Sequence, residues 1–309
     1  MPSLQQRLQS DLARSLPAHP GVRCVLVEVA GIRQAEFRVA DSPSHERFPL
    51  RSVTKSVLVT LLGIAWDDGT LGSLEFPFAD AFPEYCGMDT PMYLHGTTTE
   101  HVLAMTAGFD WPVRYPFRET QLHTFLAATD WLSFAVNLPI RRERIGRFGY
   151  CSPASHLLSA FLQRATGLDV DNFARVRLFE PLGITDWEWD HDPQGIALGG
   201  WGLQLSADSL CAIGRLYVQS GVWEKQSLLS SEWIRRSTRP HTPHYGFHWW
   251  IRDVHGHRTV FAAGTGGQYL ILVPELEAVV AILSQPGQEG ANDPWPVFER
   301  AVLPSLLES

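Results

Sequence analysis

Ser52 and Lys55 stand three residues apart in Arg51-Ser52-Val53-Thr54-Lys55, just ahead of the apolar run 57–66. Positions i and i+3 of a helix share a face, so a helix starting here brings a hydroxyl and an amine into one pocket. That is a nucleophile with a base beside it. Backbone N–H groups without helical partners, and the positive end of the helix dipole, lie at the same turn and favour a developing oxyanion. Of the 25 Lys plus Arg residues only Lys55 and Lys225 are lysine. Arginine cannot act as a neutral base at ordinary pH, whereas a buried or charge-flanked lysine can lose its proton. Ser-x-x-Lys is nonetheless short enough to occur by chance, so the assignment depends on what else the chain supplies.

Two further stretches supply candidates. Gly149-Tyr150-Cys151-Ser152-Pro153 reads as a loop before a helix at 155–166. A phenol is a poor base in water and a better one beside an ammonium, and Lys55 is the obvious neighbour; alone, Tyr150 reads more readily as a half-buried core aromatic with its hydroxyl satisfied. Ala262-Ala263-Gly264-Thr265-Gly266-Gly267-Gln268 lies between two strands. Glycines at a strand edge let a ligand approach the backbone closely, although for this stretch by itself a bulge or hairpin turn is the better reading.

Positioning these residues requires a sheet and a helical block. An amphipathic helix in 1–15 precedes a hairpin of strands 22–29 and 34–39, then the Ser52 helix to about residue 66. From 67 to 240 the chain reads as helices broken by Pro and Gly, at 101–106, 120–137, 155–166, 171–178 and 206–220. Strands follow at 246–252, 259–263, 268–273 and 278–284, then the Gly/Pro-rich stretch 285–294 and a closing helix at 296–307. The expected fold is α/β (α+β): an antiparallel sheet flanked by the terminal helices, with an inserted all-helical domain. Residues 1–66 with 241–309 would form the sheet domain and 67–240 the helical one, the active site lying between them.

With 309 residues, 45% hydrophobic, the chain can bury one large core or two modest ones. A formal charge of −8 and the lack of a basic cluster interleaved with aromatics argue against nucleic acid and against an anionic membrane as partners. Residues 1–15 lack the continuous apolar core of a signal peptide, and 57–66 is too short to span a bilayer, so a cytoplasmic location is expected. The four cysteines form no Cys-x-x-Cys pair and read as buried thiols. No Gly-x-Ser-x-Gly is present for an α/β-hydrolase. His255-Gly256-His257 would serve a metal only with a further ligand, and reads as a turn with exposed histidines; no metal and no cofactor are expected. The cluster Arg141, Arg142, Arg144 and Arg147 reads as a solvated face paired with acidic residues, with selection of an acidic substrate the other reading. Trp111 and Trp131 are candidates to line an apolar pocket or simply to fill the core.

The order of motifs, Ser-x-x-Lys after early strands, Tyr-x-Ser in a helical insertion and a Gly-rich strand late, resembles the serine β-lactamase and penicillin-binding protein superfamily. It is most similar to the branch holding class C β-lactamases, family VIII esterases and 6-aminohexanoate-dimer hydrolases. Residues 101–111, 200–205, 216–233 and 245–250 are similar to further landmarks of that branch, and 264–274 resembles its Gly-x-x-Gly-Gln strand. The resemblance implies a serine acyl-enzyme: Ser52 attacks a carbonyl, and Lys55 with Tyr150 relays its proton to the leaving group and then activates water. The oxyanion would sit between the N–H groups of Ser52 and Thr265, if the Lys-Thr-Gly motif of β-lactamases is laid on Ala262-Ala263-Gly264; two other registers exist, on residues 264–266 and 265–267. Trp111, Ser152, Gly264 and Gly266 would line the substrate site. In every register the lysine that meets a β-lactam carboxylate is missing, and Ser152 stands where class C enzymes carry asparagine. A small-molecule ester or amide is therefore the expected substrate, with carboxylesterase activity foremost. Amidase, weak β-lactamase, acyltransferase and non-catalytic binding readings remain beside it, and the oligomeric state stays open, a homo-oligomer included.

Overall fold

Side chains along residues 22–29 leave the strand alternately on two faces, and apart from Arg23 and Glu28 both sets are apolar, so this strand has to be covered on both sides. The computed structural model describes residues 2–40, 42–87, 90–94, 96–114, 118–285 and 293–308. Helix α1 (Leu4–Ser15) opens with a capping box between Ser3 and Gln6. Strands β1 (Val22–Val29) and β2 (Ile32–Arg38) follow, joined through Ala30 and Gly31, both at positive φ as a tight hairpin turn requires. Next come α2 (Thr54–Asp67), α3 (Ser152–Thr166) and α4 (Ala207–Val218), then strands β3 (Trp250–Val254), β4 (His257–Gly264), β5 (Gln268–Val273) and β6 (Ala278–Ser284). Residues 295–307 close the described chain as a helix, α5, with a π-type segment at Phe298–Val302.

The six strands form one antiparallel sheet in the order β3-β4-β5-β6-β1-β2. Pairing of Val25 with Ile282 and of Val27 with Val280 fixes the register at its centre. The alternation then sorts two cores. Val25, Val27, Ile271, Val280 and Ile282 pack with Leu8 and Leu12 of α1 and with Phe298 and Val302 of α5. Cys24, Leu26, Leu270, Leu272, Val279 and Ala281 face the larger core, which holds α2, α3 and α4. Helix α2 is mostly apolar and its residues 54–65 are all buried, as expected of a helix at the centre of a core.

Several sequence expectations shift. Ser52 sits in a 3₁₀ turn, Arg51–Val53, and the α-helix proper begins at Thr54. The expected helix 120–137 is two, Leu122–Leu126 and Trp131–Val136, because Asp130 accepts from Ser133 N and caps the second. Residues 246–249 are not strand; His248 holds a positive φ there. The block 67–240 is not purely helical. Glu188–Trp189 and Leu203–Leu205 form a small sheet with Phe48–Pro49, and Val113–Arg114 pairs with Arg118–Glu119 in a hairpin. Pairings of two or three residues carry no readable alternation. Helix α4, expected in the helical insertion, lies on the sheet: a Cβ on Gly214 would stand 2.5 Å from Val279 and 2.9 Å from Leu270. Residues 286–292 of the Gly/Pro-rich connection lie outside the described residues.

The fit of α2 is tight enough to test. A Cβ on Gly63 would come 2.3 Å from the ring of Trp233, whose Nε1 donates to Val59 O of the same helix. Gly63→Ala is expected to lose about 1–3 kcal/mol despite the better helix former. Thermal unfolding checks this; an unchanged or raised Tm would contradict the packing.

Candidate active site

Four segments converge on Lys55. The chain enters through Leu50, whose N–H donates to Leu203 O at 2.9 Å, and turns at Arg51, a non-glycine residue at φ +53. Such a backbone costs on the order of 1 kcal/mol and presents Ser52 at the head of the turn. Gly264, the last residue of β4, backs onto this turn: a Cβ there would lie 2.4 Å from Leu50 O and 3.0 Å from Arg51 Cβ. Only glycine lets the strand edge come so close to the residues before Ser52.

Lys55 is 1% exposed, so its N–H groups need protein acceptors. Its Nζ lies 3.1 Å from Ser52 Oγ, 3.0 Å from Ser152 Oγ and 2.7 Å from the carbonyl oxygen of Gly200. It also stands 4.9 Å from the centroid of the Tyr150 ring. Tyr150 and Ser152 arrive together because Ser152 begins α3 with Tyr150 two residues before it. The Tyr150 ring stacks on Trp250, the first residue of β3, at 6.2 Å between centroids. The Gly200 carbonyl is held in place by its neighbour: a Cβ on Gly199 would lie 2.1 Å from Ser155 O, and one on Gly200 3.4 Å from Lys55 Nζ.

Glu119, which the sequence did not single out, joins the site through Ser152. Its Oε1 accepts from Ser152 N at 2.7 Å and from Trp111 Nε1 at 2.6 Å, and its Oε2 accepts from Ser152 Oγ at 2.6 Å. Trp111 lines a cavity of about 410 Å³ with Pro112, Val113, Phe148, Tyr150 and Arg144. Trp131 does not reach it and packs instead against Phe125, His156 and Trp201. Arg144 and Arg141 both hold Asp110, so part of the arginine cluster is an ion-pair network at the cavity's rim. Thr265 and Gly266 form the turn after Gly264, with Gly266 at φ +88; among the described residues no hydrogen bond joins either to Ser52. Gln268 serves the sheet, its amide exchanging bonds of 2.9 and 3.1 Å with the Ser284 backbone. His255 and His257 turn to different partners, the Glu299 carbonyl and the Glu275 carboxylate.

Behind Lys55, His248 ties three elements together. Its Nδ1 donates to Leu103 O at 2.7 Å, so its Nε2 accepts from Ser155 Oγ at 2.9 Å, and its carbonyl accepts from Ser56 Oγ at 2.6 Å. Burial lowers its pKa to about 3 against the pull of the Leu103 hydrogen bond. His248 is therefore neutral.

A family model described as Beta-lactamase matches residues 25–298. The chain belongs to the Beta-lactamase family. The 6-aminohexanoate-dimer hydrolase of Paenarthrobacter ureafaciens is 25% identical over 312 residues, 92% of this chain and 75% of that one. Among solved structures, EstCE1, described as a hydrolase with promiscuous acyltransferase activity, superposes with a TM-score of 0.76 at 16% identity, over 97% of this chain and 98% of its own. The octameric penicillin-binding protein homologue from Pyrococcus abyssi gives 0.75 at 16% identity, over 98% and 77%. The fold of this Beta-lactamase family chain is thus shared along nearly its whole length, and family and relative point to a hydrolase. No helix among the described residues is long and apolar enough to cross a membrane.

His248 gives a pH prediction. Its folded pKa lies below the unfolded one, so the unfolded chain takes up the proton first. Its contribution is intact above about pH 6.5 and is lost as pH falls toward about 3, by at most about 1.4 kcal/mol per pH unit. Urea unfolding of wild type and His248→Gln across that range should show a shallower pH slope in the variant. Equal slopes would contradict the assignment.

Proposed function

We propose that the chain is a serine hydrolase that cleaves ester or amide bonds of small molecules through a Ser52 acyl-enzyme, with carboxylic esters as its first substrate class. One observation carries this: a buried lysine whose Nζ stands 3.1 Å from a serine hydroxyl, with Ser152 Oγ and Gly200 O as its other two neighbours. A neutral amine has two N–H bonds and one lone pair. With the N–H bonds given to Gly200 O and Ser152 Oγ, the lone pair faces Ser52, which is the geometry of a general base.

In the proposed reaction Ser52 Oγ attacks the carbonyl carbon as its proton moves to Lys55. The oxyanion forms between the N–H groups of Ser52 and Thr265; the close approach of Gly264 to Leu50 and Arg51 supports this pairing. Collapse expels the alcohol or amine, which takes the proton from Lys55, with Tyr150 as the second proton carrier. Water, deprotonated by the same groups, then releases the acid. Trp111 and its apolar neighbours in the cavity favour an apolar acyl or leaving group. Gly266 would leave room for substrate beside the oxyanion donors. The free thiols of Cys24, Cys86, Cys151 and Cys211 support a reducing, cytoplasmic setting.

The 6-aminohexanoate-dimer hydrolase relative favours a second reading, cleavage of a linear ω-amino amide. Transfer of the acyl group to an alcohol would use the same intermediate. A panel of p-nitrophenyl esters, nitrocefin and a linear ω-amino amide, run on wild type and Ser52→Ala, separates these. Esters should be hydrolysed with Ser52 dependence. Nitrocefin should turn over about 100-fold more slowly, because no lysine stands ready for its carboxylate. Faster cleavage of the amide would transfer the assignment to the second reading, and activity that survives Ser52→Ala would overturn both.

A further inference from the structure

We infer that Glu119 is a positioning residue for the nucleophile: through Ser152 it fixes which way Lys55 directs its N–H bonds, and it supplies the negative charge that stabilises the ammonium formed when Ser52 is deprotonated. This rests on the proposed role of Ser52.

The inference follows from counting donors and acceptors. A carboxylate only accepts, and three donors converge on Glu119: Ser152 N, Ser152 Oγ and Trp111 Nε1. The single hydroxyl proton of Ser152 is therefore committed to Glu119 Oε2. Its oxygen can then only accept at the 3.0 Å contact with Lys55 Nζ. Gly200 O is also an acceptor, at 2.7 Å. Both N–H bonds of a neutral Lys55 are thereby assigned, and its lone pair is left for Ser52. Without the carboxylate, the Ser152 hydroxyl is free to turn its proton onto Lys55 and occupy that lone pair. Glu119 is half-buried, one hydroxyl group away from Nζ, where a charge is screened less than at the surface.

Glu119→Gln tests this because no orientation of an amide reproduces the pattern. With its NH₂ toward Ser152 Oγ, it reverses the hydroxyl toward Lys55. With its oxygen there, the NH₂ confronts two other donors, Ser152 N and Trp111 Nε1. The readout is the rate of Ser52 labelling by a fluorophosphonate probe, measured against pH. In that step a bond forms from Ser52 Oγ to phosphorus, the P–F bond breaks, fluoride leaves, and the Ser52 proton passes to Lys55. The probe needs no knowledge of the natural substrate.

The other titratable groups facing Lys55 are Tyr150 from the loop before α3, Cys151 beside it, and His248 from the segment before β3. Burial pushes the Cys151 thiol up and lowers His248 to about 3, so neither changes charge near neutrality. The acid limb of the rate profile is then set by neither of them. Glu119→Gln is expected to slow labelling about 100-fold at its plateau. It should also move the acid limb to lower pH, since a negative charge that favours the protonated network is gone. Ser152→Ala, which cuts the link, should slow labelling similarly, and the double variant should be no slower than the worse single one. Unfolding temperatures close to that of wild type exclude simple misfolding. Labelling of Glu119→Gln with the wild-type rate and pH profile, or additive effects of the two substitutions, would overturn the inference and leave Ser52 as nucleophile. Wild-type protein that fails to label at Ser52 would overturn both.

Discussion

An amine that is 1% exposed at the centre of a protein is tolerated only where its N–H groups meet acceptors, since burying one unpaired costs several kcal/mol. Lys55 meets three oxygens, and they come from separate parts of the chain: Ser52 from its own turn, Ser152 from the start of α3, and Gly200 from the loop before Leu203–Leu205. Satisfying this one side chain thus requires α2, α3 and the small sheet to be in register together. The same requirement places a hydroxyl, a phenol and a carboxylate around the amine. Stability of the core and the proposed reactivity of the site rest on the same few contacts.

The glycines around the site are best understood as surfaces against which these elements close. Gly199 meets the backbone of α3, and Gly264 meets the backbone at Leu50, with room for no side chain in either place. The first presses the Gly200 carbonyl toward Lys55. The second brings the edge of the large sheet beside Ser52, so that the sheet and the helices around Lys55 share a seam. Arg51, forced to positive φ, is the strained point where the chain crosses it.

Much of this was legible in the sequence, for reasons that differ by residue. Ser52 and Lys55 were readable because helical spacing and the scarcity of lysine both marked them, and Tyr150 because it precedes a helix in a matching order of motifs. The strands were readable as short apolar runs bounded by turn residues, the pattern expected where both faces of a sheet are covered. Glu119 was not readable: it reaches Ser152 through a hairpin of two-residue strands, and nothing local marks a carboxylate that acts across 33 positions. His248 was hidden for a similar reason, its partners being Leu103, Ser155 and Ser56. Reading 246–249 as strand failed because positive φ at a buried histidine has no sequence signature.

In the proposed mechanism Lys55 acts as a base and not merely as a nearby positive charge. Lys55→Arg separates the two, because arginine keeps the charge but cannot be deprotonated at ordinary pH. The most direct measurement is the rate at which Ser52 is acylated by a p-nitrophenyl ester in this variant, followed by mass spectrometry of the Ser52 peptide, with folding verified by thermal unfolding. A loss of about 10³-fold or more in a folded protein is the predicted result. Acylation within about threefold of wild type would contradict it.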